Sequence, residues 1–321
     1  MAKKILITGG CGFIGSHLAE YFCRRGQPVV VLDNLSSGKL ANLEWKKPGM
    51  DLDLIEASAG DEDVLRRVLP DCRQVFHLAA IPSVPESVAD PALSHHHNLN
   101  ITLGILLAAR EAKVERFVYA SSCAVYGNQP DNPKTEQMPT DPLSPYALQK
   151  LAGEGYCRIF SHLYGLPAVA LRFFNVYGPR QAHDSGYSGV IARFCHEMTQ
   201  GRAPLILGDG LQTRDFVYVE NVIDAAARCA EAPAEAVAGK CFNVATGQSV
   251  SLIDLVDALN RLTGQDLKPS FGPARLGDVR ISEASIEAAR KAFGYDPKFF
   301  LSDGLSRLLG SFSSEPESTS R

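Results

Sequence analysis

A doubly wound α/β fold with a parallel sheet, followed by a smaller mixed α/β lobe, is what this 321-residue sequence predicts, and three observations predict it. Short apolar runs alternate with amphipathic stretches through the first half. A glycine-rich turn follows the first of those runs and opens a helical pattern. Past Phe173 the alternation becomes less regular, and Gly and Pro clusters interrupt the chain at Tyr177 to Arg180, Gly208 to Gly210 and Phe271 to Gly277.

The apolar runs are Ile5 to Thr8, Val29 to Asp33, a stretch around Leu54, Val75 to Leu78, Phe117 to Ala120 and Ala168 to Phe173. Helix-like pieces lie between them, the first starting at Phe13, which is the βαβ order of a parallel sheet. The expected division gives residues 1–175 to the first domain, with segments around 212–245 also contributing to it, and 176–311 mainly to the second lobe. Residues 312–321, rich in Ser and Glu with almost no apolar content, are expected to form a frayed tail.

Composition narrows the function classes. Hydrophobic residues make up 45% of the chain, enough for a sizeable core, and the formal net charge of −4 comes with no long basic run. Nucleic acid and anionic membranes therefore have little to hold. Eight cysteines occur without a C-x-x-C pair, and Lys3-Lys4 leads into a short strand instead of a signal peptide, so a reducing cytoplasm is expected. No apolar run approaches the roughly 20 residues of a membrane span.

Thr8-Gly9-Gly10-Cys11-Gly12-Phe13-Ile14-Gly15 stands directly after a strand and before a helix, the context of a dinucleotide fingerprint. Gly9 allows the tight turn, Gly12 the approach of a pyrophosphate and Gly15 close helix packing, while the helix N-terminus offers its N–H groups to the anion. Asp33, ending the second strand, suits the adenosine ribose hydroxyls and repels the extra phosphate of NADP, so this Rossmann domain is expected to take NAD.

A second constellation follows. Ser144-Pro145 looks like an N-cap and a first-turn proline, which puts Tyr146 and Lys150 four apart on one face of a helix. A free tyrosine, with a pKa of about 10, is a poor base; a nearby ammonium and an oxidised nicotinamide ring both favour its phenolate. Lys150 is thus expected to tune Tyr146 into a general base, with Ser122, just past the Phe117 to Ala120 strand, bonding the reacting oxygen. His95-His96-His97 suggests a metal, but consecutive helical residues diverge and no partner is spaced to complete a site, so none is expected. Cys11 is expected to pack as a small residue, and Trp45 with Lys46-Lys47 to lie in a solvated connection.

The motifs TGGCGFIGSH (Thr8 to His17), LDNLSSG (Leu32 to Gly38), HLAA (His77 to Ala80), SSCAVYG (Ser121 to Gly127), YALQK (Tyr146 to Lys150), LRFFNVYGPRQ (Leu171 to Gln181), GDGLQTRDFVYV (Gly208 to Val219) and RLGDVRIS (Arg275 to Ser282) resemble the extended short-chain dehydrogenase/reductase family, in particular its UDP-sugar 4-epimerase branch. The resemblance implies a tightly held NAD and a UDP-sugar between the lobes. Tyr146 would take the C4 hydroxyl proton while C4 hydride passes to NAD, and the 4-keto sugar would turn over and take the hydride back. Anchored on Val125-Tyr126-Gly127, Ser122 fills the triad's hydroxyl position; anchored from the left on the family's triple-serine stretches, Cys123 does.

On the same resemblance the cofactor would be lined by Gly9, Gly12, Phe13, Ile14, Gly15, Asp33, Asn34, Ser37, Gly38, Ser58, Ala59, Leu78, Ala79, Ala80, His97, Tyr146, Lys150 and Phe173. The family commonly has Gly-Asp where this chain has Ala57-Ser58, so Ser58, the backbone and packing would hold adenine. Arg214 and Arg275 would grip the diphosphate, Asn175 would donate to it and Asp278 would reach the uridine ribose. Val190, Leu205 and Leu207 would pack the uracil unless they are ordinary core, and Ser83, Ser122 and Tyr146 would also meet the substrate.

Relatives that dehydrate or decarboxylate carry an acid before Val-Tyr-Gly; Cys123-Ala124 here implies epimerisation. Ser282, small where a large aromatic would restrict the site, implies room for an N-acetyl group: UDP-N-acetylglucosamine and UDP-N-acetylgalactosamine first, UDP-glucose and UDP-galactose besides. The runner-up is a UDP-glucuronate 4-epimerase, and outside the class stands a non-catalytic NAD-binding sensor. The resemblance also implies a homodimer packed through the helix from Pro91 and the helix beginning at Tyr146.

Overall fold

The computed structural model describes residues 3–182, 189–274 and 279–312. Seven parallel strands form the main sheet: β1 (Lys4–Thr8), β2 (Val29–Asp33), β3 (Leu52–Glu56), β4 (Cys72–His77), β5 (Arg116–Ser122), β6 (Ala168–Phe173) and, after three strands of the second lobe, β10 (Cys241–Val244). Their spatial order is β10-β6-β5-β4-β1-β2-β3, so the winding reverses between β1 and β4. A doubly wound sheet opens its ligand crevice at that reversal, beyond the carboxyl ends of the strands.

The continuous apolar runs exist because both faces are covered. Ile5, Ile7, Val29 and Val31 join one core with Leu18 and Phe22 of α1 (Phe13–Cys23) and Val222 and Ala226 of the helix Val219–Glu231. Leu6, Val30 and Leu32 point the other way, into a core with Val64 and Leu65 of α2 (Glu62–Val68) and residues of two later helices. Between these come α3 (Val84–Ala89) and α4 (Pro91–His95), then a π-turn at His96–Asn100 that runs into α5 (Ile101–Glu111). The long α6 (Pro145–Tyr164) returns across the same face, capped by the Ser144 hydroxyl accepting from the Ala147 amide.

The second lobe is built on short strands that sequence periodicity does not reveal. β9 (Thr213–Tyr218) pairs with β7 (Asn175–Tyr177) and β13 (Ile281–Ser282) in parallel and with β11 (Ser249–Ser251) antiparallel, and β8 (Leu205–Leu207) pairs with β12 (Ser270–Gly272). Asp215 of β9 ties this lobe to the main sheet. Its buried carboxylate accepts from the amide and hydroxyl of Thr246 (2.8 and 2.7 Å) and the amide of Gly247 (2.9 Å), just past β10.

Three expectations change. β5 extends two residues further than its apolar run, so Ser122 is the strand's last residue. Trp45 is half-buried against the core, whereas Lys46 and Lys47 are exposed as expected, the Lys46 ammonium reaching back to donate to the Leu52 carbonyl at 2.8 Å. The tail does not begin at residue 312: Phe312 closes the helix Leu301–Phe312 and packs on the core one turn after buried Leu308, and residues 313–321 lie outside the described residues.

Gly153 is where α6 meets β5 most closely. A Cβ there would lie 2.5 Å from Cζ and Oη of Tyr119, a fully buried ring. Gly153→Ala should therefore destabilise the protein by about 1–3 kcal/mol despite the better helix propensity of alanine, measured by urea denaturation.

Candidate active site

The turn after β1 is made of residues with no room for side chains. Gly9 sits at φ +69°, and a Cβ on Gly15 would come within 2.2 Å of the Gly9 carbonyl oxygen. Gly12 is the N-cap of α1 and gives it no side-chain cap, so the first-turn amides, those of Phe13 and Ile14 among them, are directed outward. Asp33, at the end of β2, accepts from the Cys11 amide and the Leu35 amide, both at 2.9 Å. Gly38 packs on that carboxylate: a Cβ there would lie 2.9 Å from both oxygens. Asn34 accepts from Ser36, and Ser37 is exposed beside it. Ser58, on the loop after β3, accepts from the Gly60 amide at 3.1 Å, and Ala59 next to it is buried. A glycine cradle, an uncapped helix start and an acid at the end of the neighbouring strand fit the pyrophosphate and ribose of a dinucleotide.

The next side of the crevice is fixed by His77, to which the sequence gives no role beyond its place at the head of the HLAA motif. Thr102 donates its hydrogen to the Asn98 carbonyl (2.7 Å), so His77 Nε2, 2.9 Å away, must donate to Thr102, and Nδ1 accepts from Thr8 at 2.8 Å. The Ala79 amide donates in turn to the Thr8 hydroxyl at 3.3 Å, which sets the course of Leu78, Ala79 and Ala80 past the glycine turn. Asn98, held in the π-turn, brackets Ile81: its Oδ1 accepts from the amide and its Nδ2 donates to the carbonyl, at 2.8 and 3.0 Å. The same Nδ2 donates to Gln149 of α6 at 2.9 Å. His97 is half-buried and its ring stacks edge-on against His96.

Ser122, Tyr146 and Lys150 converge at the ends of β5 and α6. Lys150 is buried, donates to the Ala120 carbonyl at 2.7 Å and lies 5.8 Å from the centre of the Tyr146 ring. Burial pulls it down to about 8. Tyr146 is buried as well, and burial pushes it up to about 12, with the Ser122 hydroxyl as the hydrogen-bonding neighbour that works against the rise. Lys150 alone therefore does not make a base of Tyr146; a second positive charge is needed, and an oxidised nicotinamide carries one. Ser122 also accepts from the Ala124 amide at 3.2 Å, whereas burial lifts the neighbouring Cys123 thiol to about 11. Phe173 ends β6 directly beside Ser122 in the sheet register.

The second sheet brings Asn175, Arg214 and Ser282 together. Ser282 pairs with Arg214 across β13 and β9, and Asn175 Nδ2 donates to the Asp215 carbonyl at 3.1 Å. Arg214 Nη1 donates to the carbonyls of Thr213 and Val279, at 2.7 and 2.6 Å. Val190 opens α7 (Val190–Thr199) half-buried; Leu207 is half-buried on β8 and Leu205 exposed, so core packing does not account for Leu205. Ser83 caps α3 by accepting from the Glu86 amide at 3.2 Å. Arg275 and Asp278 lie outside the described residues. A hollow of about 540 Å³ beside Glu136, Lys240, Phe242 and Lys291 shares no residue with this crevice.

Known proteins resemble this chain over nearly its whole length. The profile of the NAD dependent epimerase/dehydratase family matches residues 5–245. The UDP-glucose 4-epimerase of Mycolicibacterium smegmatis is 39% identical over 313 residues, covering 96% of this chain and 98% of that protein. This chain belongs to the NAD dependent epimerase/dehydratase family. Among solved structures, a UDP-N-acetylglucosamine 4-epimerase from Methanobrevibacter ruminantium in complex with UDP-N-acetylmuramic acid superposes with a TM-score of 0.90 at 36% identity, covering 97% of this chain and 98% of that one. The UDP-glucose 4-epimerase of Thermotoga maritima with UDP-glucose gives 0.88, also at 36% identity and the same coverage. NAD is the cofactor of this family member, in agreement with the glycine cradle and Asp33.

Two histidines, His77 behind the glycine turn and His17 on α1 against the Pro179 carbonyl, make acid stability a readout of the packing around them. Burial depresses His77 to about 3; burial and then Arg180 depress His17 to about 4. Both lie below the ordinary value of 6.5, so the native state binds fewer protons than the unfolded chain between those limits. The stability they contribute is complete above about pH 6.5 and is lost as pH falls toward 4 and then 3. His77→Gln should flatten the fall by up to about 1.4 kcal/mol per pH unit, read from urea midpoints between pH 6.5 and 4.

Proposed function

We propose that this NAD-dependent UDP-sugar 4-epimerase interconverts UDP-N-acetylglucosamine and UDP-N-acetylgalactosamine, and accepts UDP-glucose and UDP-galactose as well. The observation that carries the reading is the meeting of half-buried Ser122 with buried Tyr146 and Lys150 at the sheet's carboxyl edge, opposite a second sheet where a small residue, Ser282, pairs with Arg214. Tyr146 removes the proton from the C4 hydroxyl and later returns it, and Ser122 holds that oxygen in line. Lys150, an ammonium below about pH 8, favours the phenolate. NAD, when bound, supplies reversible hydride acceptance at C4. Cys123 and Ala124 put no acid beside the reacting carbons, which supports epimerisation over dehydration.

Gly9, Gly12, Gly15 and Asp33 hold the dinucleotide, Asn175 and Arg214 the diphosphate, and Ser282 leaves room for the C2 substituent. Two copies pack through α4, α5 and α6, where Leu93, Leu107, Leu148, Ile159 and Leu163 are exposed. The reading places the protein in a reducing cytoplasm; its eight cysteines are free thiols, and no helix among the described residues is long and apolar enough to cross a membrane.

Incubation of the purified protein with UDP-N-acetylglucosamine, UDP-glucose and UDP-glucuronate in turn, followed by separation of C4 epimers, should show conversion of the first two. Turnover of UDP-glucuronate alone would overturn the substrate assignment. Tyr146→Phe should lower kcat by about 10²–10⁴-fold. Ser282→Tyr should abolish turnover of the N-acetylated sugar and leave that of UDP-glucose.

A further inference from the structure

Beneath the crevice lies a second set of buried polar groups that proton and hydride transfer do not use. Glu154, one turn after Lys150 on α6, accepts from Arg172 of β6 twice, Nε to Oε1 at 2.9 Å and Nη2 to Oε2 at 2.7 Å. It also accepts from the Ser121 hydroxyl of β5 at 2.5 Å. Arg172 Nη1 donates further to the Tyr126 phenol at 2.9 Å, which donates to Asn243 at 2.7 Å. Arg172 and Glu154 are both buried.

We propose that Glu154 is a positioning residue for the catalytic cluster: clamped by Arg172, it fixes through Ser121 the end of β5 that carries Ser122, and sets a buried negative charge against the Lys150 ammonium. Two observations carry this. Consecutive residues of β5 are tied to the same face of α6, Ala120 by Lys150 and Ser121 by Glu154, and Ser122 comes next. Burying an Arg and Glu pair is also a poor way to gain stability, since apolar residues of the same size often serve as well or better.

The groups facing Lys150 give the charge its purpose. They are His77 of β4, Tyr119 of β5 with its ring centre 4.9 Å away, and Tyr146, Glu154 and Cys157 of α6. Burial keeps His77, Tyr119, Tyr146 and Cys157 neutral at pH 7, which leaves Glu154 as the carboxylate of the set; Arg172 of β6 binds it from the far side.

The proposal rests on the 4-epimerase reading for its kinetic test only. In holoenzyme labelled with 13C at lysine Cε, the Lys150 resonance is identified by its loss in Lys150→Met. In Glu154→Gln its titration midpoint should fall by about one pH unit or more, and Glu154→Asp should restore part of the shift. With UDP-N-acetylglucosamine, kcat of Glu154→Gln should fall by about 10–100-fold with KM within about threefold, and the basic limb of kcat/KM, where Lys150 loses its proton, should move to lower pH. An unchanged Lys150 midpoint and an unchanged pH profile, with only a lower Tm, would overturn the proposal. If Glu154→Gln does not fold, Ser121→Ala leaves the Arg172 pair intact and should still lower kcat by about 3–10-fold at unaltered KM; full activity in that variant would overturn it. A wild-type protein that turns over no UDP-sugar would sink the epimerase reading, while the lysine titration would still decide the role of Glu154.

Discussion

A buried ammonium needs an oxygen to receive its hydrogens, and Lys150 finds one in the carbonyl of Ala120 at 2.7 Å. That bond joins the helix bearing Tyr146 to the strand bearing Ser122, so the groups proposed to be catalytic share one contact instead of depending on separate loops. Close approach makes it possible: Tyr119 crosses α6 at Gly153, where any side chain would collide with the ring. The Ser121, Glu154 and Arg172 bonds extend the same junction one strand further, to β6.

The rest of the crevice is arranged around this junction. On one side, the His77, Thr8 and Thr102 chain and the Asn98 bracket connect the cofactor loop to α6 through Gln149. On the other, Asp215 fastens β9 to the end of β10 and so places Arg214 and, through β13, Ser282 opposite the main sheet. Both lobes are thus referred to strand ends of a single sheet, which suits chemistry at one sugar carbon. A misplacement of about 1 Å between reacting groups can cost two orders of magnitude in rate.

Much of this was legible in the sequence because it is local. The glycine turn, Asp33 at a strand end and the Ser144 cap that sets Tyr146 and Lys150 on one helical face are patterns within a few residues of one another, and their elements appear as expected. The second lobe was legible only as an irregular stretch, since strands of two or three residues such as Ile281–Ser282 are too short to show a period. His77, Asp215 and the Glu154 to Arg172 clamp were hidden for a different reason. Their partners lie 18 to 69 residues away in sequence, and only the folded sheet brings them within bonding distance. Burial also opposes a simple local reading of Tyr146: the neighbouring lysine suggests an acidified phenol, but desolvation raises it to about 12, and the missing favourable charge belongs to the oxidised cofactor.

On the reading proposed, Ser122, Tyr146 and Lys150 carry out a reversible oxidation at C4 of the sugar. The most direct measurement is the fate of deuterium placed at C4 of UDP-N-acetylglucosamine, followed by mass spectrometry and proton NMR of the epimer formed in ordinary water. Complete retention of the label at C4 of the product, with no solvent hydrogen entering there or at C5, is the predicted result. Loss of the label to solvent, or entry of solvent hydrogen at C5, would contradict the account and point to proton abstraction from carbon instead.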